Sequence, residues 1–216
     1  MREAQMFRAL RWSLLLFLGF LAVTQQVISN GPLVIFDNNV NRRHAPHFYG
    51  FSGFILRRLD DLGLRSLTAT VLLLAALYIA RKFKTWRPLN LAVLSLLALN
   101  IVVGIFKIFL GRTKPRDGFD LLHAGGMSYP SGHASNAVLS WGVLAYLIYR
   151  YARVDRYQGR LATSGVVIIS FTVCVVSLIR HTHWFSDLLG GLFIGSALLV
   201  AVIAIDRYVP SKSQLH

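Results

Sequence analysis

Five stretches of this chain carry no Asp, Glu, Lys or Arg: 12–36, 88–106, 121–149, 161–179 and 188–205. A sixth, 66–80, is shorter, and Leu59, Leu62 and Leu64 can extend it. A helix that crosses a bilayer needs about 20 predominantly apolar residues. Helices of soluble proteins keep a polar face, whereas "SLTATVLLLAALYIA" and "LLGGLFIGSALLVAVIAI" have none. A composition that is 55% hydrophobic and 15% charged agrees. The pattern predicts an all-α polytopic membrane protein. Its six transmembrane helices would cover about 10–29, 64–80, 88–110, 131–150, 161–180 and 187–205. The first run begins like a secretory signal peptide, but "VTQQVISNGP" is a poor small-residue cleavage site and the run is long enough to span. No repeat, low-complexity tract or linker divides the chain. One domain over 1–216 is expected, with its motif-bearing core at about 50–205.

The charge is formally +14, and its placement says more than its size. The loops 81–87 and 150–160, the N-terminal segment with Arg2, Arg8 and Arg11, and the tail with Arg207 and Lys212 are all basic. The positive-inside rule makes them cytoplasmic, with both termini inside. Yet the other side is nearly as basic, through Arg42, Arg43, Arg57, Arg58, Arg65, the segment Lys107 to Arg116, and Arg180. Six of the seven histidines fall there too: His44, His47, His123, His133, His181 and His183. Cations that orientation does not require imply an anionic substrate or anionic headgroups, and no nucleic acid. The one cysteine, Cys174, lies within an apolar run and reads as a small hydrophobe. The outer loop 30–65 contains "FSGFILRRLDDLGLR", whose mixed character suggests a helix lying in the interface.

Three outer-edge segments carry groups that a bilayer tolerates poorly: "KIFLGRTKPR" from Lys107 to Arg116, "PSGH" from Pro130 to His133, and "RHTHWFSD" from Arg180 to Asp187. A helix beginning Ser-Gly leaves its first N–H groups bare, which makes a phosphate or oxyanion site. Ser131 adds a hydroxyl, and His133 a group that gives or takes a proton near neutrality. On a helix, His183 and Asp187 share a face, where the carboxylate fixes the tautomer of the ring and raises its basicity. Lys107, Arg112, Lys114 and Arg116 would surround a phosphoryl group in transit, whose charge calls for several donors. Taken one at a time, Ser131 is equally a plain helix cap, His183–Asp187 a helix-start hydrogen bond, and the cations headgroup anchors.

Together these segments resemble the type 2 phosphatidic acid phosphatase family, integral-membrane lipid phosphatases related to vanadium haloperoxidases. The family signature is Lys, six residues, Arg-Pro; then Pro-Ser-Gly-His; then Ser-Arg, five residues, His, three residues, Asp. Pro130, Ser131, Gly132 and His133 match the second part, and His183 and Asp187 the end of the third. Lys107 followed six residues later by Lys114-Pro115 matches the first, with Lys for Arg. A point charge there loses the forked guanidinium's bidentate grip, which Arg112 is expected to supply. In the third part Ser177 stands where the family has its Arg, and Arg180, one turn onward, is expected to reach the same phosphate.

The resemblance implies that His183 attacks phosphorus, Asp187 orients it, and His133 protonates the leaving oxygen. Lys107, Lys114, Ser131, Gly132 and Arg180 would hold the phosphoryl oxygens, with no metal or cofactor. The implied substrate is a membrane lipid phosphate: phosphatidic acid, phosphatidylglycerol phosphate or a polyprenyl diphosphate. The short loops and the lack of extra domains suggest a bacterial inner membrane, with the active site on the outer face. Two other readings stay open: phosphotransfer from lipid to another acceptor, and a non-catalytic lipid-binding or transport protein with a degraded site.

Overall fold

A computed structural model describes residues 2–41, 48–152 and 155–208. His44 and His47 lie outside the described residues. Among the described residues eight α-helices follow in order: α1 (Arg2–Ile28), α2 (Pro32–Asn41), α3 (Gly50–Asp61), α4 (Arg65–Lys82), α5 (Arg87–Leu110), α6 (Gly132–Tyr151), α7 (Arg156–Ile179) and α8 (Phe185–Tyr208). A short 3-10 turn covers Pro115–Asp117. No strand occurs among the described residues.

The ends of these helices follow local chemistry. Pro88 stands in the first turn of α5 and left-handed Gly111 ends it (φ 52°). Asp155 and Gln158 form a capping box that starts α7. Ser131 caps α6 by accepting from the Ala134 N–H at 3.3 Å. The stretch 30–65, expected as a loop with one interfacial helix, holds α2 as well as α3. The axis bends by 51° between α3 and α4. Helix α1 begins earlier than the apolar run suggested, at Arg2.

Six of the helices have 18 residues or more, and they stand where six spans were expected. Four of them, in α1, α5, α7 and α8, are long and apolar enough to cross a membrane on their own; counting bent α3–α4 as one span makes five. Helix α6 differs for a physical reason. It packs against α4, α5, α7 and α8, so its polar Ser135, Asn136 and Ser140 are buried inside protein rather than presented to lipid.

The core is apolar, with Phe20, Leu72, Leu99, Leu139 and Ile194 fully enclosed. Close approach of α8 to α6 depends on two glycines spaced four apart. A Cβ on Gly191 would lie 2.6 Å from the Ser131 carbonyl oxygen, and one on Gly195 2.8 Å from that of Ser135. The close seam brings the start of α8 beside the start of α6, where the Ser131 N–H donates to the Asp187 carbonyl at 2.9 Å. At the opposite end, buried Asp206 accepts from Arg87 Nε at 2.7 Å, from the Tyr146 hydroxyl at 2.6 Å, and from Arg150.

Candidate active site

The turn between α7 and α8 sets the position of His183. Helix α7 ends with Arg180 at its C-cap, followed by His181 in the left-handed region (φ 50°). The Thr182 N–H and hydroxyl both return to the Ser177 carbonyl, at 3.0 and 3.1 Å, which satisfies a helix-end acceptor. Burial pushes the His181 imidazole below its ordinary pKa. The first N–H groups of α8 are then met by carboxylates. The Trp184 N–H donates to Asp187 Oδ2 at 3.0 Å and the Ser186 N–H to Asp37 Oδ1 at 2.9 Å, as the helix dipole favours.

His183 Nδ1 stands 3.4 Å from Asp187 Oδ2. Asp187 is fully enclosed. Its Oδ2 also takes the Ser128 hydroxyl, and its Oδ1 takes Arg112 Nη1 at 2.8 Å. With the carboxylate fixed from three sides, the ring is oriented and Nε2 is left for the open face. There the His133 ring faces it, with centroids 6.0 Å apart and planes at 58°. The two imidazoles are thus close enough to act on one small group at their shared edge.

The predicted cations divide into two sets. Lys107, Arg180 and Asp60 lie within electrostatic reach of His133. The Lys107 ammonium donates to the Met127 carbonyl, and its Cε would lie 3.9 Å from a Cβ on Gly132, beside the first turn of α6. Lys114 is exposed and within electrostatic reach of Lys107. Arg180 lies at the edge, ion-paired with Asp60, whose other oxygen accepts from Ser177 Oγ at 2.8 Å.

Arg112 corrects the sequence expectation. It is fully buried and does not face the gap; every donor group it has is turned to protein. Nε donates to Asp120 at 2.7 Å, Nη1 to Ser186 at 2.6 Å and to Asp187 at 2.8 Å, and Nη2 to Asp37 at 2.8 Å and to Asp120. Its guanidinium also lies over the Trp184 ring, 5.3 Å from the centroid. A guanidinium saturated by three carboxylates has nothing left for phosphate, so its place is behind the site, as a brace for Asp187.

Sequence reasoning missed the carboxylates of this brace. Asp37, from α2, meets Arg112 and both the N–H and the hydroxyl of Ser186. Burial raises the pKa of Asp37 against the lowering pull of Ser186 and Arg112. An acid directly after the 25-residue uncharged run was the available signal. Arg65, at the start of α4, is exposed and within electrostatic reach of Lys107, a second group not singled out. His123 sits outside this cluster, edge-on to Phe109.

The sequence profile of the PAP2 superfamily matches residues 88–210. The chain belongs to the PAP2 superfamily. A stretch of 105 residues is 26% identical to phosphatidylglycerophosphatase B of Bacillus subtilis (strain 168), covering 49% of this chain and 51% of that protein. The chain thus spans about half the length of that curated relative. The fold is similar to the crystal structure of the transmembrane PAP2-type phosphatidylglycerolphosphate phosphatase from Bacillus subtilis, with a TM-score of 0.81 and 21% identity over 93% of this chain and 98% of that one. This PAP2 protein is an integral membrane protein on the strength of its apolar helices and that fold. Family membership covers α5 to α8; α1 to α4, including Asp37 and Asp60, precede the matched residues.

Proposed function

We propose that this protein is a membrane lipid phosphatase that removes the terminal phosphate of a phosphatidylglycerol phosphate through a phosphohistidine on His183. The observation that carries the reading is the pair of neighbouring imidazoles, His133 and His183, with ring centroids 6.0 Å apart, Asp187 behind one and the α6 N-terminus bearing the other. His183 Nε2 attacks phosphorus while Nδ1–H is held by Asp187. The P–O bond to the glycerol breaks, and His133 gives its proton to the leaving alkoxide. Lys107, Lys114, Arg180, the Ser131 hydroxyl and the Gly132 N–H stabilise the charge on the equatorial oxygens. Water then attacks the phosphohistidine, His133 takes its proton, and inorganic phosphate leaves.

The names of the Bacillus subtilis relative and of the similar crystal structure favour phosphatidylglycerol phosphate over phosphatidic acid and polyprenyl diphosphate. We place six spans in a bacterial plasma membrane, with this site at the outer face and both termini inside. The basic ends of α4, α6 and α8 support that orientation.

The test is phosphate release by the detergent-purified protein from all three lipids, in excess chelator, beside His183→Ala. Chelator-resistant release that disappears in the variant is expected, fastest with phosphatidylglycerol phosphate. Loss of lipid phosphate without free phosphate would point to transfer onto another acceptor. Silence from a folded protein would leave a lipid-binding role.

A further inference from the structure

Helices α6, α7 and α8 flank a groove of about 1050 Å³ that opens at the end of the bundle opposite His183 and runs along most of α7. Its shape follows from unequal packing. Helix α6 is the floor and is tight against both walls, with Leu199 pressed onto the α6 backbone at Gly142. The walls α7 and α8 scarcely touch each other. The surface inside is apolar, built from Val138, Val167, Phe171, Leu192, Leu199 and Ile203. It extends along α7 from Arg156 to Cys174, roughly 27 Å at the helical rise. That exceeds one leaflet's share, about 15 Å, of the hydrocarbon core.

The mouth is charged on one sign. Arg156 and Arg160 from α7 and Arg207 from α8 line the groove where it reaches the end of the bundle. The acids nearby are engaged elsewhere. Asp155 caps α7 through the Gln158 N–H at 2.7 Å, and Asp206 is buried between Arg87 and Arg150. Arg207 lies over the Tyr146 ring, 5.7 Å from its centroid, and Arg156 and Arg160 are exposed. Thr163 and Ser164 line the groove about one to two turns deeper than the arginines. That is the depth of a phospholipid's ester groups when its phosphate sits at the mouth.

We propose that this groove binds one anionic diacyl phospholipid, its headgroup phosphate held by Arg156, Arg160 and Arg207 and its chains lying along α6 between α7 and α8. Charge decides the occupant. A second copy of this chain carries +14 with only nine acids, so it would meet the three arginines with like charge. A phospholipid supplies the anion and the apolar length together. Its charged mouth lies at the end of the bundle away from His183, and the groove uses none of the candidate active-site residues.

Native mass spectrometry of the full chain in neutral detergent tests this, with equal amounts of phosphatidylserine and phosphatidylcholine. Phosphatidylserine is neither substrate nor product of the proposed reaction. The expected result is one phosphatidylserine retained in preference to phosphatidylcholine. Its affinity should fall roughly a hundredfold in the triple variant Arg156→Gln/Arg160→Gln/Arg207→Gln, since each cation near a headgroup contributes roughly a fivefold gain. The triple Lys variant should keep the lipid, and Lys107→Ala, at the other end, should not change it. Equal retention by the parent and the Gln variant overturns the proposal, as does loss of preference in Lys107→Ala. A dimer of the parent that Val167→Trp dissolves would make the groove a protein interface and overturn it too.

Discussion

Replacing Arg112 by Lys separates a brace from a phosphate ligand. The guanidinium makes five hydrogen bonds, to Asp37, Asp120, Ser186 and Asp187. An ammonium has three donors, so at least two of the five are lost. Bonds to charged groups are worth about 1.5–3 kcal/mol each, so the loss is about 3–6 kcal/mol. Removing one partner of a buried ion pair costs about 3–5 kcal/mol by the same logic. The estimates meet at about 4 kcal/mol, which for a chain of this size lowers the melting temperature by about 8–16 °C. The assay is a thermal melt in detergent, paired with steady-state phosphate release. Arg112→Lys should melt early and lose kcat, because Asp187 no longer holds His183, while KM stays near that of the parent. Adding Asp120→Asn, which removes one of the three carboxylates, should restore part of the stability. An Arg112→Lys protein that melts like the parent but shows a raised KM would refute the reasoning and return Arg112 to the phosphate.

Three further outcomes follow from the same geometry. His133→Ala should lower phosphate release by about 10²–10⁴ with the fold intact, as for loss of a general acid; rapid quench should show whether phosphohistidine still forms with a good leaving group, and it should. Gly191→Ala puts a Cβ 2.6 Å from the Ser131 carbonyl; it should destabilise by about 1–3 kcal/mol and depress activity together, read by melt and by phosphate release. Arg180→Ala should lower kcat/KM at least tenfold while Arg58→Ala, whose exposed arginine pairs with half-buried Asp61 and lies over the Phe54 ring, should leave it unchanged.

The sequence carried the helices and the two histidines, because both are local signals. Uncharged runs mark helices wherever water is excluded, and "PSGH" and "HTHWFSD" each place their reactive groups within one turn of a helix start. What it did not carry were pairings between distant segments. Asp37 lies 75 residues before Arg112 and Asp187 75 after it, and no periodicity links them. Without Asp37 and Asp120 in view, Arg112 reads as a free cation beside Lys107 and Lys114, and its role came out reversed. Helix α6 shows the same limit in another way. Its Ser135, Asn136 and Ser140 weaken the hydropathy of a span, yet they are the mark of a helix surrounded by protein.

The departure at Ser177 gains a physical meaning from the same kind of distant pairing. The family arginine is absent there, but Ser177 Oγ holds one oxygen of Asp60 at 2.8 Å while Arg180 holds the other. Asp60 belongs to α3, ahead of the matched residues 88–210. A serine in place of the arginine leaves room for that carboxylate, and the carboxylate in turn holds the later arginine. If this relay positions Arg180, then Asp60→Ala should cost activity although Asp60 touches no substrate, and Ser177→Arg in the Asp60→Ala, Arg180→Ala background should recover part of it. Recovery failing in a protein that melts like the parent would mean that the two arginine positions do not serve one phosphate oxygen, and that Arg180 answers to Asp60 alone.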